Sequence, residues 1–553
     1  MDEDLVAALT DLDDELCTWP PTSGLYTRGN GADQWPRPIT PLTQDVVGRP
    51  QWNALGHAMS DRMGLLRPPL PTEGWAASFY GYVTVGFTPV MQIADAMPGW
   101  SAQSVAQQYF GLPPDPDYVA PPAKRPNPVR LAGIATRLFR ESRQYPKNAR
   151  RYEETARARL ARARARDWTA APDSALAATL EQSMSEGVAW RLPLLEANMF
   201  AASGYDQLVA QAAKHADDEH GALAGAAVRG VGDFQINAAM TAITEVARGR
   251  RSLEVVIERY GFRGPMEYEL AAETWSDNPA YLEQLVAQAR EREVREEAGP
   301  EPRDAARAEL RKRMGPLRYA RFSSSLRSYE KHVGWRENGK VHEVMGVAVV
   351  RMAAREAGRR LAEVGRLERP DDVFYLRANE LIADLTTGPG PERKAVVARR
   401  RQTHERAAAL DFPELCRAGP DGLHAVTDDE IRALGLIPPD RDAEPATDGR
   451  LEGIGASPGR VTAPARLVTD PFTDSLADGE VLVARTTDPA WTPLFLQAAA
   501  VVIDLGGPLS HGAVISRDLG IPCVMNVKEG TARIRDGQQV TVDGERGEVL
   551  LNP

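Results

Sequence analysis

The chain has 553 residues, of which 43% are hydrophobic and 26% are charged, a balance typical of globular rather than disordered or fibrous proteins. Its 66 basic and 77 acidic side chains give a net charge of −11, which argues against general affinity for nucleic acid or anionic membranes. The cysteines, Cys17, Cys416 and Cys523, are too widely spaced for a disulfide framework or a zinc site. No apolar run reaches the ~20 residues of a membrane span, so we expect a cytoplasmic protein with neither a membrane segment nor a bound metal.

Composition and hydrophobic pattern divide the chain into four segments. Residues 1–22 form a short acidic extension, and residues 23–436 are predicted to be a mainly helical body, irregular and rich in Pro and Gly up to about residue 130. A polar linker follows at 437–450. Residues 451–553 alternate short β-branched runs with glycine turns. The sequence therefore predicts a multidomain protein, with a mainly α-helical body and a C-terminal α/β domain.

His511 stands out among the eight histidines because it follows a strand-like apolar run and a glycine turn, and precedes a helical pattern. Free N–H groups at the start of a helix bind phosphate oxygens, and an imidazole nitrogen held there can accept a phosphoryl group. Gly506, Gly507 and Gly512 would allow close backbone approach, and Ser510 directly precedes the histidine. The spacing alone leaves open a purely structural histidine at such a turn.

The segment GGPLSHGAVISRDLGIPCV resembles the phosphohistidine signature of the swivelling domain in phosphoenolpyruvate (PEP)-utilising enzymes. GIGASPGRVTAPARLV upstream and ARIRDGQQVTVDGERGEVLL downstream are also similar to that domain. The resemblance implies that residues 451–553 form a swivelling phosphohistidine domain in which His511 is transiently phosphorylated. It also implies that Ser510 and the three glycines support the phosphoryl group.

The helical body resembles the rifampin phosphotransferase branch of this family, and so implies an acceptor-binding domain. The matching segments are YTRGNGADQWPRPITPLT, YGFRGPMEYELAAETWSDNP, RSYEKHVGW and GRLERPDDVFYLRANEL. Four residues depart from the pattern. Phe262 stands where the family usually has His and Met266 where it has Gly, while Met525 and Asn526 stand where Val and Gly are commoner.

Two charged pairs in these segments are candidates for positioning the phosphoryl group. Arg327 and Lys331, four residues apart on one helix face, match positively charged positions that the family uses near phosphoryl transfer. Arg263 could clamp phosphate, and Glu267 could orient an acceptor hydroxyl or take its proton. A solvated basic face remains open for the first pair and a helix-capping ion pair for the second.

The resemblance does not extend to the family's ATP-grasp domain before the body or to a PEP-binding barrel after His511. We therefore expect a subunit of a split enzyme, as in phenylphosphate synthase, with no cofactor in this chain. A separate ATP-grasp partner would bind ATP and Mg²⁺ and phosphorylate His511, which would pass the group to an alcohol or phenol hydroxyl of a small acceptor. Two alternatives are a non-catalytic phosphohistidine carrier with a regulatory role and a component of a rifampin-inactivating phosphotransferase.

Three other patterns have simpler explanations. KHADDEH at 214–220 matches no zinc spacing, and the arginines of ARARLARARAR surround their helix rather than forming one basic stripe. An aromatic set in the N-terminal section is either core or the lining of an apolar acceptor pocket. Its members are Trp35, Phe79, Tyr80, Tyr82, Phe87 and Trp100.

Overall fold

We describe the protein from a computed structural model. The described residues are 8–9, 12, 14–28, 34–48, 56, 75–96, 128–218, 221–231, 235–291, 301–388, 392–410, 412–413, 415–424, 426, 449–469, 471, 474–487, 491–507 and 510–552. The predicted linker at 437–450 lies outside this set, except for Gly449 and Arg450. No helix within these ranges has the length and the apolar character that crossing a bilayer requires.

Helices dominate the body, as the sequence predicts. They are α1 (Pro41–Val46), α2 (Phe87–Ala96), α3 (Pro128–Ala165), α4 (Asp173–Ala216), α5 (Ala222–Ala227), α6 (Gln235–Ala247), α7 (Leu253–Tyr260), α8 (Ala280–Glu291), α9 (Glu301–Glu363), α10 (Ala378–Thr386) and α11 (Lys394–Ala408). Short 3₁₀ helices occupy Asp14–Leu16 and Pro370–Tyr375. Helix α9 is broken at Gly315, whose φ of 72° is open to glycine but strained for other residues.

Helices α4 and α9 form the long antiparallel pair on which the body is built. Gly204 of α4 lies opposite Tyr329 of α9, and Gly339 of α9 lies opposite Leu194 of α4; a Cβ on either glycine would come within 3.3 Å of that neighbour. The two helices therefore approach most closely where one side lacks a side chain. Helix α3 packs on the same pair, and its Tyr145 hydroxyl donates a hydrogen bond to the carbonyl of Pro193 at 2.8 Å.

A five-stranded antiparallel sheet forms in the part of the chain that the sequence led us to expect as irregular. Its strands, in the spatial order β2-β3-β1-β4-β5, are β1 (Gly24–Thr27), β2 (Ala76–Phe79), β3 (Tyr82–Gly86), β4 (Leu415–Gly419) and β5 (Gly422–His424). Strand β1 pairs with β4, which lies near the far end of the body, with Tyr26 opposite Cys416. The expectation of an irregular start is wrong for these residues. Strand β1 pairs with strands that are remote in sequence and leave no local signal, whereas β2 and β3 form a local hairpin that the sequence analysis did not single out.

The N-terminal extension packs on this same end of the body. Leu9 and Leu12 are buried in the core beneath the five-stranded sheet, and Leu16 is buried as well. The carboxylate of Glu15 forms ion pairs with Arg399 and Arg400 of α11. The described residues of 1–22 are thus part of the body's structure rather than a separate unit.

The C-terminal domain is an eight-stranded mixed sheet with three short helices, in agreement with the predicted α/β class. Its strands are β6 (Arg450–Glu452), β7 (Ile454–Ser457), β8 (Arg460–Leu467), β9 (Val481–Ala484), β10 (Ala500–Ile503), β11 (Cys523–Met525), β12 (Gln539–Asp543) and β13 (Glu548–Leu551), in the spatial order β6-β13-β12-β8-β9-β10-β11-β7. The helices are α12 (Thr492–Phe495), α13 (His511–Leu519) and α14 (Gly530–Arg533). Strands β8 to β11 run parallel, so their carboxyl ends meet at one edge, where such sheets place ligand sites.

The C-terminal domain rests on the body through one shared apolar core. The body contributes buried residues from α4, α5 and α9, and the domain contributes buried residues from its sheet, α12 and α13. The body residues are Ala201, Leu208, Ala212, Ala216, Ala224, Ala227, Val228, Ala306, Leu310, Met314, Phe322, Leu326, Tyr329 and Val333. This arrangement is called the docked arrangement below.

His332 of α9 makes the body sensitive to acid. Its imidazole lies between the rings of Tyr145 and Phe200, with centroids 5.3 and 5.0 Å away, and Nδ1 is 2.6 Å from the carbonyl oxygen of Ser328. Burial lowers the pKa of this ring from 6.5 to about 4. Because the unfolded chain binds a proton at higher pH than the folded protein does, stability is complete above pH 6.5 and falls as the pH drops towards 4.

We expect the His332→Phe variant to lose less stability in acid than the wild type. A shift from 6.5 to about 4 corresponds to roughly 3 kcal/mol of unfolding free energy. Urea unfolding at pH 7.5 and pH 4.5 measures the difference. His342, whose pKa is also lowered, to about 3, is present in both proteins, so its contribution cancels. Equal acid losses in the two proteins would contradict the assignment.

Candidate functional site

His511 is the first residue of α13 and follows the loop that leaves the carboxyl end of β10. Its side chain is fully buried in the docked arrangement. Nε2 lies 3.5 Å from the hydroxyl of Thr492, and the edge of the ring faces Phe495 with centroids 6.3 Å apart. The predicted sequence of strand, glycine turn and helix is present, and it places the imidazole at a helix N-terminus where backbone N–H groups are free of helical partners.

At two glycine positions of the signature, the surrounding atoms leave no room for a side chain. Gly506 has a φ of +139°, and a Cβ there would lie 2.8 Å from the Met525 side chain. A Cβ on Gly512 would lie 2.5 Å from Ile503 and 2.8 Å from the Thr487 hydroxyl. Both glycines therefore let α13 start close against the end of β10, which holds His511 at the sheet edge.

Ser510 and Gly507 shape the turn before the histidine. Both the backbone N–H and the hydroxyl of Ser510 donate to the carbonyl oxygen of Gly507 at 2.9 Å. The same hydroxyl lies 3.3 Å from the sulfur of Met525. In the docked arrangement Ser510 thus stabilises the loop itself.

Asp504 secures the loop from the other side. Its carboxylate accepts hydrogen bonds from the backbone N–H groups of Gly530 at 2.6 Å and Thr531 at 3.0 Å, at the start of α14. Burial raises the pKa of Asp504, and these hydrogen bonds oppose that change. Asp504 is therefore a structural anchor for the turn rather than a member of the histidine site.

Arg517, which the sequence analysis did not single out, joins α13 to the body. It lies six residues after His511, is only 2% exposed, and its guanidinium sits 4.3 Å from the ring centroid of Tyr205 in α4. Burial raises the pKa of Tyr329 to about 12, and the positive charge of Arg517 opposes this rise. A second contact comes from Arg229, which donates to the carbonyl of Pro458 at 3.1 Å.

Arg327 and Lys331 point away from the docked C-terminal domain. Tyr329 is in the shared core, and a residue two positions before or after it on a helix points about 200° away around the axis. Arg327 is exposed and donates to the hydroxyl of Ser323 at 2.9 Å. Lys331 donates to the carbonyl of Ser142 in α3 at 2.5 Å. The docked arrangement does not bring this pair to His511, and its role in transfer stays a prediction.

Arg263 and Glu267 form a buried two-point ion pair. Arg263 donates through Nε to Oε1 at 2.6 Å and through Nη2 to Oε2 at 3.2 Å. The guanidinium lies 5.9 Å from the ring centroid of Trp275, which belongs to the core of α6, α7 and α8. Leu496, next to α12, packs against the same core. This pair therefore lies on the side of the body that α12 reaches, although the structure shows no direct contact with His511 among the described residues.

The family departures have simple structural explanations. Met266 and Asn526 have φ values of 47° and 57°, in the left-handed region that favours glycine, the residue usual at both positions. Asn adopts this conformation at low cost, whereas Met266 is strained. Phe262 is buried in the body core, with the guanidinium of Arg164 5.7 Å from its ring centroid. Met525 lies against Ser510 and Gly506, so this departure reaches the turn that precedes His511.

The remaining sequence patterns lie outside the site. No group of three or more His, Cys, Asp or Glu side chains suited to a metal occurs among the residues described above. Arginines of the α3 tract contact neighbours in the body; Arg159, for example, pairs with Glu186 at 2.5 Å. Phe79, Tyr80 and Tyr82 are core residues under the five-stranded sheet. Phe87 is buried as well, and Trp100 lies outside the described residues.

Comparisons with known proteins match two segments of the chain, one in the C-terminal domain and one in the body on which it is docked. Residues 476–547 match the mobile domain of PEP-utilising enzymes. Residues 201–337 match the fourth domain of rifampicin phosphotransferase, and every body residue in the shared core falls within this match. The chain is therefore similar in both segments to the PEP-utilising, rifampicin phosphotransferase-like family, as the sequence predicts.

Three relatives illustrate the similarity of this chain to curated proteins. An uncharacterized protein of Mycobacterium tuberculosis is 36% identical over 52% of this chain and 30% of its own length. A rifampicin phosphotransferase of Streptomyces sviceus is 31% identical over 55% and 34%. A prodigiosin synthesizing transferase of Serratia marcescens is 31% identical over 53% and 32%. The chain thus spans about a third of the length of the curated relatives it matches.

Proposed function

We propose that this chain is a phosphotransferase component in which His511 carries a phosphoryl group to the hydroxyl of a small organic acceptor. The observation that carries the proposal is the position of His511, at the start of α13 and at the carboxyl edge of the parallel strands. This position lies within the match to the PEP-utilising mobile domain. Relatives named as phosphotransferases support the same reaction class.

Loading and delivery of the phosphoryl group require two positions of the C-terminal domain. The His511 ring is fully buried in the docked arrangement, so a donor cannot reach its nitrogens there. We propose that the domain leaves the body to be phosphorylated by a separate ATP-grasp polypeptide holding ATP and Mg²⁺, as the family resemblance implies. It then returns to the body, whose enclosed surface protects the reactive P–N bond from water.

The transfer step balances without another reactant. The acceptor oxygen forms a new P–O bond as the P–N bond to the imidazole breaks, and the electron pair of that bond returns to the ring nitrogen. The acceptor's hydroxyl proton ends on the imidazole, which restores neutral His511. Charge develops on the three equatorial phosphoryl oxygens during this step, so fixed positive charges nearby would lower the barrier.

The test is transfer of radioactive label from γ-labelled ATP. The purified chain, mixed with a co-purifying ATP-grasp protein, is expected to acquire label that is stable in alkali and lost in acid, as a phosphoimidazole is. A panel of phenols, alcohols and rifampicin is then added, and label should move to one class of hydroxyl compound. Persistent label on the protein with every compound would instead favour the carrier or regulatory alternative.

A further inference from the structure

The break in α9 creates a second helix start on the surface of the body. Gly315, with φ of 72° and ψ of 171°, interrupts the helical backbone, and Pro316 follows it at the first position of the new segment, where proline is favoured. The first backbone N–H groups of a helical segment lack helical partners and carry the positive end of its dipole. This point of the surface therefore favours negative charge.

The side chains at this helix start are positive instead. Arg318 lies in the first turn of the segment and Arg321 one turn later, and both are exposed. Neither side chain forms an ion pair or a hydrogen bond with another residue in the part of the chain that the structure describes. A cation near the positive end of a helix dipole is unfavourable. The two arginines therefore do not stabilise the helix that carries them.

Two basic groups of α4 lie beside these arginines. Lys214 and His215 occupy the last turn of α4. Partial burial lowers the pKa of His215, and the positive charges of Arg318, Lys214 and Arg321 lower it further. The four side chains are thus close enough to repel one another, and they are called the basic patch below.

The acidic residues that follow α4 do not neutralise the basic patch. Asp218 accepts hydrogen bonds from backbone N–H groups at the start of α5. The pKa of Arg313, before the break, is raised by a hydrogen bond to Glu309 and further by the charges of Asp217 and Asp218. Neither aspartate forms an ion pair with the patch within the described ranges. The patch therefore keeps an excess of positive charge on a chain whose net charge is −11.

The basic patch adjoins the interface with the docked C-terminal domain. Ala216, Met314 and Phe322, its neighbours along α4 and α9, are buried in the shared core. Leu317, between them on α9, is 87% exposed and adds an apolar side chain next to Arg318. The patch thus continues the surface on which the domain rests, but the domain leaves it uncovered.

We propose that the basic patch and Leu317 form a docking surface for an acidic segment of a partner protein. Carboxylates of that segment would pair with Arg318 and Arg321, and its apolar side chains would cover Leu317. Charge complementarity and continuity with the interdomain interface support this occupant. Nucleic acid fits less well, because the net charge of −11 repels a long polyanion, whereas a short segment mainly meets the nearby cations. The inference goes beyond the proposed function, since it does not depend on phosphorylation of His511.

A fluorescein-labelled synthetic peptide of glutamate and leucine is the probe for this surface, and fluorescence anisotropy measures its binding to the full chain. The test variant is Arg318→Gln/Arg321→Gln. The matched control is Arg535→Gln/Arg546→Gln, which removes two exposed arginines of the C-terminal domain and changes the net charge equally. We expect the wild type and the control to bind alike, and the test variant to bind at least about fivefold more weakly.

Two further variants separate the contributions to binding. Arg318→Lys/Arg321→Lys keeps both charges and should retain most of the affinity, whereas Leu317→Ser should weaken binding of the peptide without changing the net charge. No binding by the wild type, or equal loss in both glutamine variants, would overturn the inference. So would tighter binding of a single-stranded oligonucleotide or of phosphatidylserine vesicles than of the peptide, if that binding were lost in Arg318→Gln/Arg321→Gln.

Discussion

Replacing His511 with glutamine is expected to abolish phosphoryl labelling of the chain and all label transfer to an acceptor. Glutamine can keep a polar contact near Thr492, but its amide nitrogen is not nucleophilic. Loss of a covalent nucleophile commonly costs on the order of 10³-fold or more in rate, which would bring labelling to background. Alkaline gel autoradiography and intact-protein mass spectrometry measure the loss, and circular dichroism checks that the fold persists.

The matched control for this variant is His424→Gln. His424 ends strand β5, is about half exposed, and pairs with Asp421 at 3.2 Å, so it belongs to the body surface. The control should accept label at the wild-type rate. Label that survives in the His511 variant, or label on the wild type that resists acid and maps to a serine, would show that the imidazole is not the carrier.

Replacing Arg517 with methionine is expected to release the C-terminal domain from the body and expose His511. The guanidinium stacks on Tyr205 in a buried setting, where a cation–π contact is worth about 2 kcal/mol, or roughly a 30-fold change in the docking equilibrium. Methionine keeps much of the apolar contact area and removes the charge, together with the hydrogen bond that Nε donates to the carbonyl of Ala513 within α13. Modification of His511 by diethylpyrocarbonate, followed by peptide mass spectrometry, should therefore become at least about tenfold faster.

Two further variants make this result specific. Tyr205→Leu removes the aromatic partner from α4 without touching α13, and should expose His511 to a similar degree. Arg466→Met removes an arginine whose partners, Glu480 and Asp536, lie within the C-terminal domain, and should leave the modification rate unchanged. If His511 in both Arg517→Met and Tyr205→Leu reacts at the wild-type rate, this contact does not hold the domain in place.

The C-terminal domain could be predicted because its signals are local. The strand, the glycine turn and the start of α13 follow one another within about a dozen residues, so the placement of His511 at a helix N-terminus needed no long-range information. Gly506 and Gly512 occupy crowded positions, which explains why a glycine pattern identified the turn. The unusual residues Met266 and Asn526 mark left-handed backbone that the sequence alone could not reveal.

The features that sequence reasoning missed depend on contacts between distant segments. Strand β1 lies between β3 and β4, both remote from it in sequence, and Arg517 gains its importance only because α4 presents Tyr205 to it. Helical spacing correctly placed Arg327 and Lys331 on one face of α9. It could not show which face meets the C-terminal domain, since that depends on how α3, α4 and the domain surround the helix.

The two sheets limit how far the C-terminal domain can move away from the body. On the body side, β5 is held by β4 up to His424; on the other side, Arg450 is already paired with β13. The 25 residues between these two strands (425–449) can span at most roughly 90 Å, even if fully extended. Under the proposed function, a donor protein would therefore have to present its nucleotide within that distance of the end of β5, which sets an upper limit on the size of the complex.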